Sequence, residues 1–198
     1  YGGSGNDTIS VVGKVSGNVI GGQIGADLIN VSGNVVSAEV QMQSGQETST
    51  LADTLIVSGS LSNTTIISGS GADSISITSA VKGGSIKVGA GADTLLVGSS
   101  LGGYIDLGSG NDSLSAGSSL SVATVLGGSG SDTLTIAGGT GSSVVGGYAA
   151  DSLLFSSNVN ASTLFGGQPG DGGNILDGND SVYVGGSISG VLAAGNYG

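Results

Sequence analysis

Two residues after a recurring aspartate the chain always carries an aliphatic side chain, and four residues after it an apolar one. The first set is Ile9, Ile29, Leu55, Ile75, Leu95, Leu114, Leu134, Leu153 and Val182. The second is Val11, Val31, Val57, Ile77, Val97, Ala116, Ile136, Phe155 and Val184. Directly after the aspartate stands a hydroxyl in eight of nine cases, from Thr8 to Ser181, with Leu28 the exception. Apolar residues two apart with polar ones between them predict a strand with one buried and one wet face.

A second apolar register lies eight residues after the aspartate: Val15, Val35, Leu61, Val81, Leu101, Leu120, Val159 and Ile188, with Thr140 out of pattern. A third lies 12 or 13 after it, at Ile20, Val40, Ile66, Ile86, Ile105, Val125, Val145, Leu164 and Leu192, and leads into a glycine-rich turn. Each repeat therefore predicts strand, turn, strand, turn. The aspartates are Asp7, Asp27, Asp53, Asp73, Asp93, Asp112, Asp132 and Asp151, in steps of 20, 26, 20, 20, 19, 20 and 19, with Asp171 20 further on and Asp180 nine beyond it. A period near 20 residues predicts an all-β parallel solenoid, one coil per repeat.

The expected organisation is a single repeat domain over 1–198 with about nine coils. Two stretches break the rhythm. Residues 41–52 carry about six extra residues and lack a Gly-x-Gly before Asp53, which predicts a loop leaving the stack. Residues 166–180 carry nine extra, with Pro169 and the acids Asp171, Asp177 and Asp180, which predicts an added half-coil. Tyr1 stands inside a motif and Asn196-Tyr197-Gly198 falls where another aspartate is due, so the expectation is a segment of a longer array.

Composition sharpens this picture. With 42 Gly, two Phe and no Trp in 198 residues, the chain has no stock of large side chains for an ordinary globular core. Stacked coils bury continuous aliphatic ladders that no single repeat buries alone. The net charge of −11 comes from 14 acids against three lysines, which excludes electrostatic binding of nucleic acid and favours cations. The absence of Cys and His argues against a zinc site and a disulfide scaffold. No run of about 20 apolar residues is present to span a bilayer as a helix.

The candidate chemistry lies in the turn. In Gly127-Gly128-Ser129-Gly130-Ser131-Asp132 the glycines allow backbone conformations closed to other residues and let carbonyl oxygens point together. Parallel coils place equivalent residues ~4.8 Å apart, where two bare carboxylates repel by about 0.9 kcal/mol in water and roughly 3.5 kcal/mol at an effective dielectric of 20. Stacked carboxylates with turn carbonyls form an all-oxygen shell that suits Ca2+. The candidate ligands are Asp7, Asp27, Asp53, Asp73, Asp93, Asp112, Asp132, Asp151, Asp171 and Asp180, with the turn glycines Gly3, Gly5, Gly69, Gly71, Gly89, Gly91, Gly108, Gly110, Gly128 and Gly130. The turns before Asp27, Asp53 and Asp151 are degraded, while Asp106 and Asp177 lie outside the motif and read as surface residues.

The stretches Gly2-Gly3-Ser4-Gly5-Asn6-Asp7-Thr8-Ile9-Ser10 and 127–135 resemble the nonapeptide of RTX, or hemolysin-type, calcium-binding repeats. The resemblance implies a parallel β-roll with calcium between consecutive turns, held by the motif aspartates and turn carbonyls, and implies export, commonly by a type I system. With one motif per coil, calcium is expected along one edge, since the opposite turns Ser58-Gly59-Ser60, Gly98-Ser99-Ser100 and Ala137-Gly138-Gly139 hold no acid. The spacing also resembles solenoids of giant bacterial adhesins, including ice-binding ones, and of surface-layer proteins. Ice binding in that group uses a regular Thr and Asn about the middle glycine, whereas here those positions read Ser4/Asn6, Ser70/Ala72, Ala90/Ala92, Ser109/Asn111 and Ser129/Ser131.

Other signals carry less. Gly98-Ser99-Ser100-Leu101-Gly102 has the form of a hydrolase elbow, but the chain has no His to serve as base. A glycosidase carboxylate pair is singular, whereas these acids repeat. The expectation is therefore a non-enzymatic, calcium-stabilised structural segment of a secreted bacterial surface protein: an S-layer, a filament or an adhesin stalk. The alternative is an accessory β-roll of a secreted enzyme or toxin. Expected partners are further copies stacked head to tail, and a cell-surface polysaccharide or a host or neighbouring surface.

Overall fold

The computed structural model describes residues 1–43, 50–160, 162–167 and 178–194. Among these the chain winds as an all-β parallel solenoid with no helix. Each coil contributes a four-residue strand just after the motif aspartate to one sheet, and a longer return strand to the other. In the coil begun by Asp73 these are Ser74–Ile77 and Val81–Ala90. The short strands form a nine-stranded sheet, from Thr8–Val11 to Ser181–Val184, in chain order. The return strands form a 15-stranded sheet, its larger count arising where one return strand is split in two, as at Gly139–Thr140 and Ser143–Tyr148.

The short sheet keeps the register that the apolar period predicts. Ile9, Ile29, Leu55, Ile75, Leu95, Leu114, Leu134, Leu153 and Val182 pair one above the next without a slip. Their inward faces meet those of the return sheet in one continuous aliphatic core, with Phe155 as its bulkiest member. The hydroxyls at Thr8, Ser74, Thr94, Ser113, Thr133, Ser152 and Ser181 face solvent. One residue of slip would exchange these two faces, so burial fixes the register.

In the return sheet three expected positions shift. The column from Leu120 to Val159 passes through Gly139, which is why Thr140 looked out of pattern. The next column takes Val144 rather than Val145, and Ala193 rather than Leu192. The step from Asp132 to Asp151 is 19 residues, and the missing residue falls before the return strand, which advances the positions of Gly139 and Val144 by one. With Val144 and Val145 adjacent and apolar, the pattern alone did not choose between them. Val145 is also buried.

Both insertions leave the ladders intact. Leu28 pairs with Thr54 across a 26-residue step and Ser152 with Ser181 across 29. The loop expected near 41–52 falls mainly on 44–49, and the expected half-coil with Asp171 and Asp177 on 168–177, both outside the described residues.

Gly139 leaves a vacancy in its column. It is buried and its φ is not positive, and an added Cβ comes no closer than 3.5 Å to Leu120 Cβ, an ordinary contact. Gly139→Ala is expected to stabilise the protein by about 1 kcal/mol, or roughly 2–4 °C in a chain of this size. A thermal melt of the calcium-saturated variant checks this; a lower midpoint would contradict the assigned register.

Candidate metal centre

Ahead of the short strands that follow Asp7, Asp73, Asp93, Asp112 and Asp132 the chain turns through Gly-x-Gly-x-Asp. Both glycines hold a left-handed backbone: φ is 116° at Gly89, 142° at Gly91, 106° at Gly108 and 131° at Gly110, and the same holds at Gly3, Gly5, Gly69, Gly71, Gly128 and Gly130. Close approach of the coils imposes a second demand. A Cβ on Gly89, Gly91, Gly108 or Gly110 would overlap the carbonyl oxygen of Gly69, Gly71, Gly89 or Gly91 respectively. Those carbonyls therefore point along the stack at the next turn, and only glycine fits there.

The turns deliver the aspartates into an unbroken column. Asp7 N–H donates to Asp27 Oδ1 at 2.8 Å, Asp27 to Asp53 and Asp53 to Asp73 at 2.7 Å each, and Asp73 to Asp93 at 2.7 Å. Asp93 donates to Asp112, Asp112 to Asp132 and Asp132 to Asp151 at 2.8 Å each, and Asp151 to Asp180 at 2.9 Å. Asp27, Asp53 and Asp151 belong to this column despite their degraded turns, and the column runs from Asp151 directly to Asp180. Asp27, Asp53, Asp73, Asp93, Asp112, Asp132 and Asp151 are all buried, with Asp7 and Asp180 half-buried at the ends. Asp106 lies outside the column, on the return sheet in register with Lys87 and near the Tyr104 hydroxyl.

The second carboxylate oxygen has a different fate. Oδ2 of Asp7, Asp27, Asp93, Asp112, Asp132 and Asp180 is buried without a hydrogen-bond partner among the described residues. A point where a Cβ on Gly2 would lie is 2.7 Å from Asp7 Oδ2 and 2.8 Å from the Gly22 carbonyl oxygen of the next coil. Gly22 stands in the same way over Asp27 Oδ2 and the Met42 carbonyl, and Gly127 over Asp132 Oδ2 and the Gly146 carbonyl. The residue five before Asp7, Asp27 and Asp132 thus forms a roof over the carboxylate. This position was not among the expected ligands, although the first glycine of the motif marks it in the sequence. In the central coils it is Ser68, Val88 and Leu107, all buried.

Burial pushes the carboxyls of Asp73, Asp93, Asp112, Asp132 and Asp180 up from the usual range. Asp93 is raised to about 7, by desolvation and by the neighbouring Asp112 and Asp73. Desolvation raises Asp112 and Asp132 to about 6 each and also raises Asp180. Asp73 is raised by the same cause, against the pull of the Ser68 hydroxyl. The opposite edge of the coil solves the same cross-coil problem without charge. There Asn34 Oδ1 accepts from Ser60 N–H and Asn158 Oδ1 from Ser187 N–H, both at 2.8 Å. A neutral amide is enough for that bond, so it does not account for a buried acid in every coil.

An orphaned oxygen on a buried acid fits a hard cation, which replaces the lost hydration with charge. Among the described residues no three acidic side chains converge. A cation here would have to draw on the aspartates of successive coils together with carbonyl oxygens.

One turn is built differently. Gln43, buried beside the insertion, accepts the Ser70 N–H at 2.7 Å with Oε1 and donates from Nε2 to the Ser70 carbonyl at 3.3 Å. Its carboxamide takes the part of a backbone peptide against the turn of Asp73. In that turn the Ser68 hydroxyl also donates to Asp73 Oδ2.

The fold and this edge define a class, a parallel β-solenoid with a buried aspartate ladder. No protein-family model matches the chain, and no curated protein sequence matches it. Among solved structures it is similar to a hyperactive, Ca2+-dependent, β-helical antifreeze protein from an Antarctic bacterium, at 18% identity and a TM-score of 0.42, over 96% of this chain and 79% of that one.

The raised carboxyls set a pH dependence for the metal-free protein. Their folded values lie above the unfolded value near ~3.9, so between about pH 4 and 7 the folded state binds more protons and stability falls as pH rises. Chelator-treated protein is expected to melt at least ~5 °C lower at pH 7.5 than at pH 4.5, the response to roughly 2 kcal/mol. A rise over that window would show that the column is not desolvated.

Proposed function

We propose that this chain is a calcium-binding architectural segment of a secreted bacterial cell-surface protein, a stiff rod rather than a catalyst. The observation that carries the reading is the orphaned Oδ2 repeated along a buried aspartate column, on an edge where a neutral amide would satisfy the cross-coil bond. Calcium, bound by Asp7, Asp27, Asp93, Asp112, Asp132 and Asp180 with neighbouring carbonyls, supplies positive charge to a set of carboxylates that otherwise repel. The identical repetition of the groups supports architecture, because chemistry needs one distinct constellation. Export fits the same balance: calcium is scarce in cytosol and plentiful outside, so binding couples folding to arrival.

The residue pair Asp93 and Asp106 tests this reading. Asp93→Asn keeps an oxygen for the Asp73 N–H and removes the charge. In chelator at pH 7.5 it is expected to melt at or above the wild-type midpoint, yet to need several-fold more calcium to reach full stability. Asp106→Asn is expected to match wild type in both. Circular dichroism melts across a calcium titration give the answer; equal calcium midpoints for the two variants, or a wild-type melt indifferent to calcium, would remove the ion from the column.

Self-association belongs to the same proposal. The outermost short strands, Thr8–Val11 and Ser181–Val184, each pair on one side only among the described residues, and the inward Ile9, Val11, Val182 and Val184 are only half-buried. Unpaired edges over an aliphatic layer recruit further strands. Calcium-loaded protein is expected to stack end to end, leaving the hydroxyl face of the short sheet outward toward a polysaccharide or a neighbouring surface. Electron microscopy and light scattering check this; a concentration-independent calcium-bound monomer would refute stacking.

A further inference from the structure

Asp73 differs from its neighbours in the column. Its Oδ1 takes the Asp53 N–H as the ladder requires, but its Oδ2 receives the Ser68 hydroxyl, while Oδ2 of Asp93 and Asp112 receives nothing. Both members of the pair are buried, Ser68 at 0% and Asp73 at 1% exposure, so water does not compete for the bond. The same turn is closed on its other side by the Gln43 carboxamide, which pairs with both the N–H and the carbonyl of Ser70. The turn of residues 68–73 therefore draws from protein side chains one contact that Asp93 and Asp112 leave open at Oδ2, and another that the next turns make with backbone, as where the Ala90 carbonyl accepts the Gly71 N–H. Gly69 pairs with Gly89, so Ser68 and Val88 hold equivalent places in successive coils. Val88 has no group to donate, and Asp93 keeps its orphan.

We infer that Ser68 is a built-in substitute for the cation at Asp73, a hydroxyl that occupies the oxygen which calcium takes in neighbouring coils. This rests on the calcium reading of the column. A neutral donor satisfies the lone pairs of Asp73 Oδ2 but brings no charge, and an ion arriving there has first to displace a buried hydrogen bond. The column then loads calcium on either side of Asp73 and skips one rung. The rung it skips lies beside the insertion, where the sequence has no Gly-x-Gly before Asp53 and Gln43 stands against the turn of Asp73.

The count of bound ions tests the inference. Full-length wild type, Ser68→Ala and Val88→Ser are dialysed to equilibrium against calcium, and metal per chain is measured by mass spectrometry, with circular dichroism to confirm the fold. Ser68→Ala frees Asp73 Oδ2 and is expected to bind one more ion than wild type. Val88→Ser places a hydroxyl beside Asp93 and is expected to bind one fewer. If Ser68→Ala folds and its count equals that of wild type, the inference is overturned while the calcium reading stands. If Ser68→Ala does not fold, Val88→Ser decides, a loss of one ion supporting the inference and an unchanged count overturning it. A wild type that binds no calcium overturns both.

Discussion

Stacking identical residues at the spacing of a β-sheet multiplies whatever one residue demands by the number of coils. For the aliphatic positions the demand is burial, and the repetition yields a core that a chain poor in large side chains lacks by other means. For the aspartates the demand is charge compensation in a site closed to water, and the repetition turns one awkward group into a column of them. The two demands are tied together by geometry. The backbone register that aligns Ile75 under Leu95 also aligns Asp73 under Asp93, so the core cannot form without assembling the acids.

The bond from each aspartate N–H to the next carboxylate explains why the acids point inward. Were they turned to solvent they would repel weakly and pin nothing. Turned inward, Oδ1 fastens one coil to the next at the place where the glycines have no side chains to contribute. The cost is left on Oδ2. The glycines at positive φ serve the same end, since a side chain on Gly91 or Gly110 would meet the carbonyl of the adjacent turn and hold the coils apart. Tight glycine turns, buried acids and a thin aliphatic core are thus one solution seen at three positions of the repeat.

Much of this was legible in the chain. The columns through Ile9 and Val11 were readable in full, because a four-residue strand of period two after a fixed marker leaves no freedom of register. The return strand was less readable, since it follows a turn of variable length; a single missing residue moved its column from Val145 to Val144 and from Thr140 to Gly139. The aspartates could be read as one column along an edge, but their hydrogen-bonded ladder could not, because that depends on each side chain turning inward to reach the coil before it. The roofing position held by Gly2, Ser68 and Val88 was hidden for the same reason. Nothing in the sequence marked Gln43 as a stand-in for a peptide unit against Ser70.

The direction of the ladders bears on how such a rod meets force. In both sheets every strand-to-strand bond runs along the stack axis, so tension on the two ends pulls on those bonds lengthwise. A coil with a partner on one side only yields before one held on both, so coils peel one after another. Each coil of about 20 residues that peels away releases roughly 65–70 Å of extended chain in place of ~4.8 Å of rod. A solenoid of this kind is stiff at rest and extensible under load, and shortens again as each coil finds the template left by the one beneath it.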